Sequence, residues 1–328
     1  MVSQAIAPRN AKNRPFVLRK GVSVLSDLAD GGAVYGYPGD YYGQIYFVNN
    51  ITGNSAYDGL SWDTPFAQPS EAITASEAFR ALPSGTTNDY QRNRIFIQGT
   101  GTAYSPISAL PSYCDMIGIG ANPRGNGAGI ARIVSNTDSE DAISHGSSGV
   151  RGLYMENIQA GADSGSSTGW ALDLAKIFRS EFVNCVFWNK ETGGVRVTIG
   201  GGVAFRGCLL GGGDTRYPTT GFSNDGLANF NHCVIEDSYI YGETTGLILS
   251  AVAMGQTLIQ RNMIYGGSIG IDDNQDNKDF YDLPQFLDNR IFVDSGGDCI
   301  DSLNNGTEKA IGNMCNTAGT ITWEGSIS

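Results

Sequence analysis

Six segments of the chain repeat one short pattern: an apolar residue, a polar or small pair, then a return to apolar residues. They are FVNCVFWN from Phe182, FRGCLLGG from Phe205, FNHCVIED from Phe230, IQRNMIYG from Ile259, LDNRIFVD from Leu287 and IGNMCNTA from Ile311. Their starts lie 23, 25, 29, 28 and 24 residues apart, and VRGLYMEN at Val150 precedes Phe182 by 32. Repeats of roughly 20 to 50 residues mark solenoids, and uneven intervals place loops of different length at one edge of each coil. No sustained helical period runs between the segments, and the leucine spacing of a leucine-rich repeat is missing. The 45 glycines among 328 residues are about twice the usual share. Together with asparagine and serine they separate short apolar runs, as tight turns separate short strands. A parallel β-helix satisfies all of this, with equivalent residues of neighbouring coils roughly 4.8 Å apart. In this alignment Phe182, Phe205 and Phe230 form an aromatic stack, and Cys185, Cys208 and Cys233 a small buried ladder beside it.

A segment upstream gives the pattern a family likeness. YFVNNITGNSAYDGLSWDTPFAQPSEAITAS, from Tyr46 to Ser76, resembles the opening of right-handed parallel β-helix proteins of the pectate-lyase-like superfamily, where a strand leads through a DGLS and TPF segment into a short helix. The matching positions are Gly53, Asn54, Ser55, Asp58 to Ser61, Thr64, Pro65 and Phe66. EAITASEAFRAL, from Glu71 to Leu82, supplies an amphipathic cap for the first coil, which has no upstream neighbour to cover it. The expected fold is therefore all-β, a single-stranded right-handed parallel β-helix with an N-terminal arm and a short helical cap. Residues 1–43 form the arm and junction, 44–90 the entry strand and cap, and 91–328 the solenoid.

Charge divides the chain. Arg9, Lys12, Arg14, Arg19 and Lys20 fall in the first twenty residues, where no acid occurs, while the remainder holds 33 acidic against 16 basic residues. An acidic body discourages nonspecific nucleic-acid binding. The opening residues lack the apolar core of a secretory signal, and no run of about eighteen apolar residues suggests a membrane span. The basic arm, with Tyr35, Tyr37, Tyr41 and Tyr42 as rigid aromatic anchors, is the expected attachment region for capsid or tail proteins.

Among acidic groups, IDDNQDNKDFYD offers Asp272, Asp273, Asp276 and Asp279 as hard oxygen ligands suited to calcium. Asp294, Asp298 and Asp301, and the pair Glu236 and Asp237, are further turn acids whose convergence sequence spacing does not fix. His145 lies in a serine-glycine turn and His232 beside Cys233, with no further ligand to complete a zinc site. Arg206 and Arg261 share an outward face with His232 in this alignment, and no basic groove for an anionic polymer emerges. The six cysteines are expected reduced, since a chain this long needs no staples. GIGANPRGNGAG lacks the ending and context of a phosphate loop.

The balance of these readings is against an enzyme. It favours a noncatalytic bacteriophage virion protein, a capsid decoration or tail-associated spike-like component made in the host cytoplasm. The resemblance implies homo-oligomeric assembly, a trimer by analogy with phage members, and contact with glycans. The alternative is a polysaccharide lyase or glycoside hydrolase, as in a receptor-degrading tailspike.

Overall fold

Inward apolar residues on successive strands fix the architecture. Phe182 pairs in register with Met155 on one side and Phe205 on the other, and Phe205 pairs in turn with Ile235. The computed structural model describes residues 43–81, 91–125, 127–162, 169–188, 191–212, 218–224, 229–250, 254–273, 284–302, 309–317 and 320–324. It is an all-β right-handed parallel solenoid with, among the described residues, one short helix. Among the described residues three sheets run along it. The first has ten strands, from β1 (Ile45–Val48) and β2 (Asn93–Gln98) to β26 (Lys309–Ile311). The second has nine, from β4 (Ala131–Ser135) to β27 (Asn313–Thr317) and β28 (Thr320–Glu324), and the third also has nine, from β5 (Ile143–His145) to β25 (Asp298–Ser302). Among the described residues every ladder is parallel except that of β27 with β28, which is antiparallel.

The interior is a stack of side chains, one layer per coil. Phe182, Phe205 and Ile235 enter from the first sheet, Phe187, Leu210 and Ile240 from the second, and Val195, Phe222 and Leu247 from the third, all fully buried. The Phe182 and Phe205 rings stack at 4.7 Å and 6°, and Phe222 meets Phe205 edge-on at 5.5 Å.

The cap is α1 (Pro69–Arg80), whose start is set by Pro69 and by Glu71. The Glu71 carboxylate accepts from the backbone N–H of Ala67 and Gln68 at 2.9 and 3.0 Å, satisfying donors that a helix start leaves unpaired. Ala72, Ile73 and Ser76 face the first coil, and Asn93 of β2 donates to the Ser76 carbonyl and hydroxyl. Arg80, fully buried, pairs with Glu77 at 3.0 Å and lies over the Tyr113 ring.

The register corrects part of the repeat alignment. Two of the three corners of each coil, those flanking the first sheet, read as an apolar or small residue, a spacer, a residue with positive φ and a buried residue. Between the first and second sheets the positive-φ residues are Asn157, Asn184, Gly207, Asp237, Arg261, Asp288 and Gly312. Between the third and first they are Tyr113, Gly152, Arg179, Gly202, His232 and Gln256. Phe182–Cys185 and Phe205–Cys208 belong to the former bend, whereas Phe230–Cys233 belongs to the latter, with Phe230 opposite Gly200 of the third sheet. Phe230 and Cys233 are fully buried, but the coil equivalents of Phe205 and Cys208 are Ile235 and Ser238. Val150 also sits at the second bend. Two later segments shift by one residue, because Phe286 and Ala310 occupy the inward positions assigned by sequence to Leu287 and Ile311.

At the first bend the buried residue changes character along the solenoid. Cys185 and Cys208 give way to Ser238, then to Asn262, Asn289 and Asn313, all buried. Each asparagine amide donates to a carbonyl of the preceding coil, Ile235, Ile259 and Phe286, at 2.8–2.9 Å. Each oxygen accepts a backbone N–H from the coil before, those of Ser238, Asn262 and Asn289. The ladder satisfies the bend's buried backbone groups and holds the coils in register.

Not all cysteines are free, contrary to expectation. Cys299 and Cys315 form a disulfide with Cα atoms 5.9 Å apart, joining β25 of the third sheet to β27 of the second, one coil further on. Cys114, Cys185, Cys208 and Cys233 are buried thiols, and burial pushes Cys208 and Cys233 up to about 12. Closing a loop of 16 residues is worth about 3 kcal/mol. Replacing Cys299 and Cys315 by serine is therefore expected to lower urea-unfolding stability by about that amount, measurable against the same protein treated with reductant. A reductant effect that persists in the double variant would contradict the assignment.

Candidate functional site

Alternation along the first sheet turns one residue in two outward, and the register aligns these into two columns. One column runs Arg94, Asp115, Tyr154, Glu181 and Ala204, on β2, β3 (Cys114–Ile119), β7 (Tyr154–Glu156), β10 (Glu181–Val183) and β13 (Ala204–Arg206). The other runs Ile117, Glu156, Val183, Arg206, Glu236 and Gln260. Charged and hydroxyl side chains from strands far apart in sequence thereby meet on one face.

Tyr154 is the centre of the upper half. It stands in register between Asp115 and Glu181, and its hydroxyl donates to Glu156 Oε2 at 2.9 Å. Burial pushes its hydroxyl pKa well up, reinforced by the hydrogen bond to Glu156 and the negative charge of Glu156, Glu181 and Asp115. Asp115 is held by Arg92 Nε at 2.7 Å and Arg94 Nε at 2.8 Å.

Arg206 organises the lower half. Its Nε donates to Glu181 Oε1 at 2.7 Å and its Nη1 contacts Glu236, whose other oxygen takes Arg261 Nη2 at 2.9 Å. Arg261 also grips Asp237, and that hydrogen-bonded guanidinium holds the Asp237 carboxyl below the usual range. Glu236 is only 11% exposed in its side chain, against 41% for Glu181. Glu181 is thus charge-compensated by Arg206 and open to solvent, while Glu236 is enclosed.

Glu156 and Glu181 lie on neighbouring strands, two positions offset. Strand spacing and rise put their backbones roughly 8 Å apart on this diagonal. Two carboxyl groups about 6.5–9.5 Å apart leave room for a water between them and a glycosidic bond. Their surroundings differ, as acid and base partners require: one faces a tyrosine hydroxyl, the other a guanidinium.

The residues singled out by sequence distribute unevenly. Arg206 and Arg261 do converge, through Glu236, but His232 is an exposed bend residue apart from them. Asp272 and Asp273 are adjacent on β22 (Ile269–Asp273) and fall on opposite sides, Asp273 fully buried and Asp272 outward in register with Asp301. Asp276 and Asp279 lie outside the described residues, as do Arg9, Lys12, Arg14, Arg19, Lys20, Tyr35, Tyr37, Tyr41 and Tyr42. Among the described residues no group of three or more metal-type side chains assembles, and no helix is long and apolar enough to cross a membrane. His145 accepts the Leu110 N–H on Nδ1, and burial lowers its pKa. Asp115, Tyr154, Glu156 and Glu181 escaped the sequence reading. The available signal was their position one residue from an inward apolar residue such as Met155 or Phe182.

No protein-family model matches the sequence, and no curated protein matches it. Solved structures match at the level of the fold. The chain is a parallel β-solenoid. Pectin methylesterase PemA from Erwinia chrysanthemi is 14% identical, covering 85% of this chain and 91% of that one with a TM-score of 0.47. Pectate lyase Pel9A is 16% identical over 87% and 78%, with a TM-score of 0.46. An open-reading-frame product of Geobacillus virus E2 is 10% identical over 98% and 74%, with a TM-score of 0.43. Pectin methylesterases, a pectate lyase and a lacto-N-biosidase share the fold with a tailspike protein, and the expectation that the chain is more likely not an enzyme does not stand.

Proposed function

We propose that the chain binds a polysaccharide along the outer face of the first sheet and hydrolyses it there. The observation that carries the reading is the placement of Tyr154 between Asp115 and Glu181, with Glu156 on its hydroxyl and Arg206 on Glu181. Glu181, paired with Arg206 and open to solvent, is placed to activate water as a base. Glu156 is the proton donor to the leaving oxygen, and Tyr154 orients its carboxyl. A backbone separation of roughly 8 Å leaves room for the water of an inverting mechanism. The arginines of this face are committed to carboxylates, so none serves as the proton-abstracting base of a lyase.

The test is product analysis on a panel of polygalacturonate, methyl-esterified pectin and bacterial surface polysaccharides. New reducing ends of inverted configuration, without the ultraviolet absorbance of an unsaturated product, are expected from the wild type and lost in the Glu156→Gln, Glu181→Gln double variant. Unsaturated products, or undiminished cleavage by the double variant, would defeat the reading.

A receptor-degrading spike is the setting we favour, attached through residues 1–43. The charge contrast between the basic first twenty residues and the acidic remainder supports it. A chain beginning at Gly43 is expected to retain hydrolysis and to lose incorporation into particles; incorporation unchanged would remove the arm from this role.

A further inference from the structure

The outer faces of the three sheets differ in charge. The first carries Asp115, Glu156, Glu181 and Glu236, and the third carries Asp173, Asp272, Asp298 and Asp301. The outward positions of the second sheet from β4 to β27 hold no carboxylate, although the chain as a whole has a net charge of -12. They hold instead Leu209, Tyr239 and Met263 in one column, next to a buried Val186, and Trp188, Tyr241, Tyr265 and Phe292 in the other. Trp188 lies against Gly161, where a side chain would reach within 2.8 Å of the indole. Tyr241 and Tyr265 follow one strand apart with centroids at 6.2 Å. The charges of this face are arginines, and two guanidinium groups cover rings, Arg132 over Trp188 at 5.2 Å and Arg124 over Tyr239 at 5.0 Å. Tyr239 is 36% exposed.

We infer that the outer face of the second sheet is the surface through which two or more copies of this chain associate. Enrichment in tyrosine, tryptophan, phenylalanine, methionine and arginine, with aspartate, glutamate and lysine depleted, is the composition of a protein–protein interface core. Charge chooses the occupant. Two copies of a strongly acidic chain repel wherever their carboxylates are apposed, and this is the sheet face whose outward strand positions, among the described residues, hold none. Rim groups supply the polar border: Asp294 accepts from the Tyr265 hydroxyl at 3.2 Å, and Glu243 is exposed at the sheet's edge. The inference concerns a face separate from the hydrolytic site and stands independently of it.

Light scattering coupled to size-exclusion chromatography of the full chain tests it. The wild type is expected to elute at a multiple of the single-chain mass. Tyr241→Glu combined with Tyr265→Glu, and separately the milder Tyr239→Glu at the most exposed ring, are expected to shift it to a single chain, with far-ultraviolet dichroism unchanged. Lys176→Glu, at a half-buried outward position of the third sheet, is expected to leave assembly intact. A wild type that runs as one chain at all concentrations overturns the inference, as does a Tyr239→Glu protein that keeps its assembly. Loss of polysaccharide capture from a monomeric wild type on mutating these rings overturns it in favour of a glycan platform.

Discussion

Glu181→Gln is expected to reduce polysaccharide hydrolysis by about 10²–10⁴-fold, the usual share of a general base, with no change in the midpoint of urea unfolding. The amide keeps the size of the side chain and can still accept from Arg206, so the face stays intact. What it loses is the negative charge that draws a proton from water. Stability is insulated for a second reason: Glu181 is well exposed and its pairing with Arg206 is screened, so the pair itself is worth little. Glu156→Gln should match it in the rate but differ in its substrate dependence. Activity of that variant recovers on substrates with good leaving groups, which need no proton donor, whereas the Glu181→Gln protein stays slow on all of them. Equal recovery by both would exchange or dissolve the two roles.

The second large effect is on folding. Phe205→Ala is expected to destabilise the protein by ~3–5 kcal/mol, a substantial part of the roughly 5–15 kcal/mol that holds a typical domain. Phe205 stacks on Phe182 in one coil and takes the edge of Phe222 from another sheet. Parallel ladders above and below fix the coil spacing, so the walls cannot close on the cavity. His232→Ala, at an exposed position, should change stability by no more than about 0.5 kcal/mol. Comparable small losses for both in denaturant unfolding would remove Phe205 from the core stack.

The solenoid was legible in sequence because its strongest demand is local. Phe182 and Phe205 must face inward, and the bend after each must admit a residue with positive φ, so Asn184 and Gly207 write that demand into the chain. The same demand misled the alignment at Phe230, since His232 and Cys233 meet it at a different bend. The site was not legible because Asp115, Tyr154 and Glu181 have no sequence relation to one another. Only the register of three coils makes them neighbours. The acidic run beginning at Asp272 drew attention through its density, yet adjacent strand residues face apart, and Asp272 finds Asp301 from the next coil instead.

A parallel solenoid is in principle an unfinished fibre, since its last coil offers open strand edges to any chain of like structure. In the second sheet β28 reverses direction and occupies the edge that β27 would leave, so a further parallel coil cannot continue that sheet. A coil added along the axis there would meet β28 antiparallel, out of keeping with the parallel ladders that build the rest of that sheet.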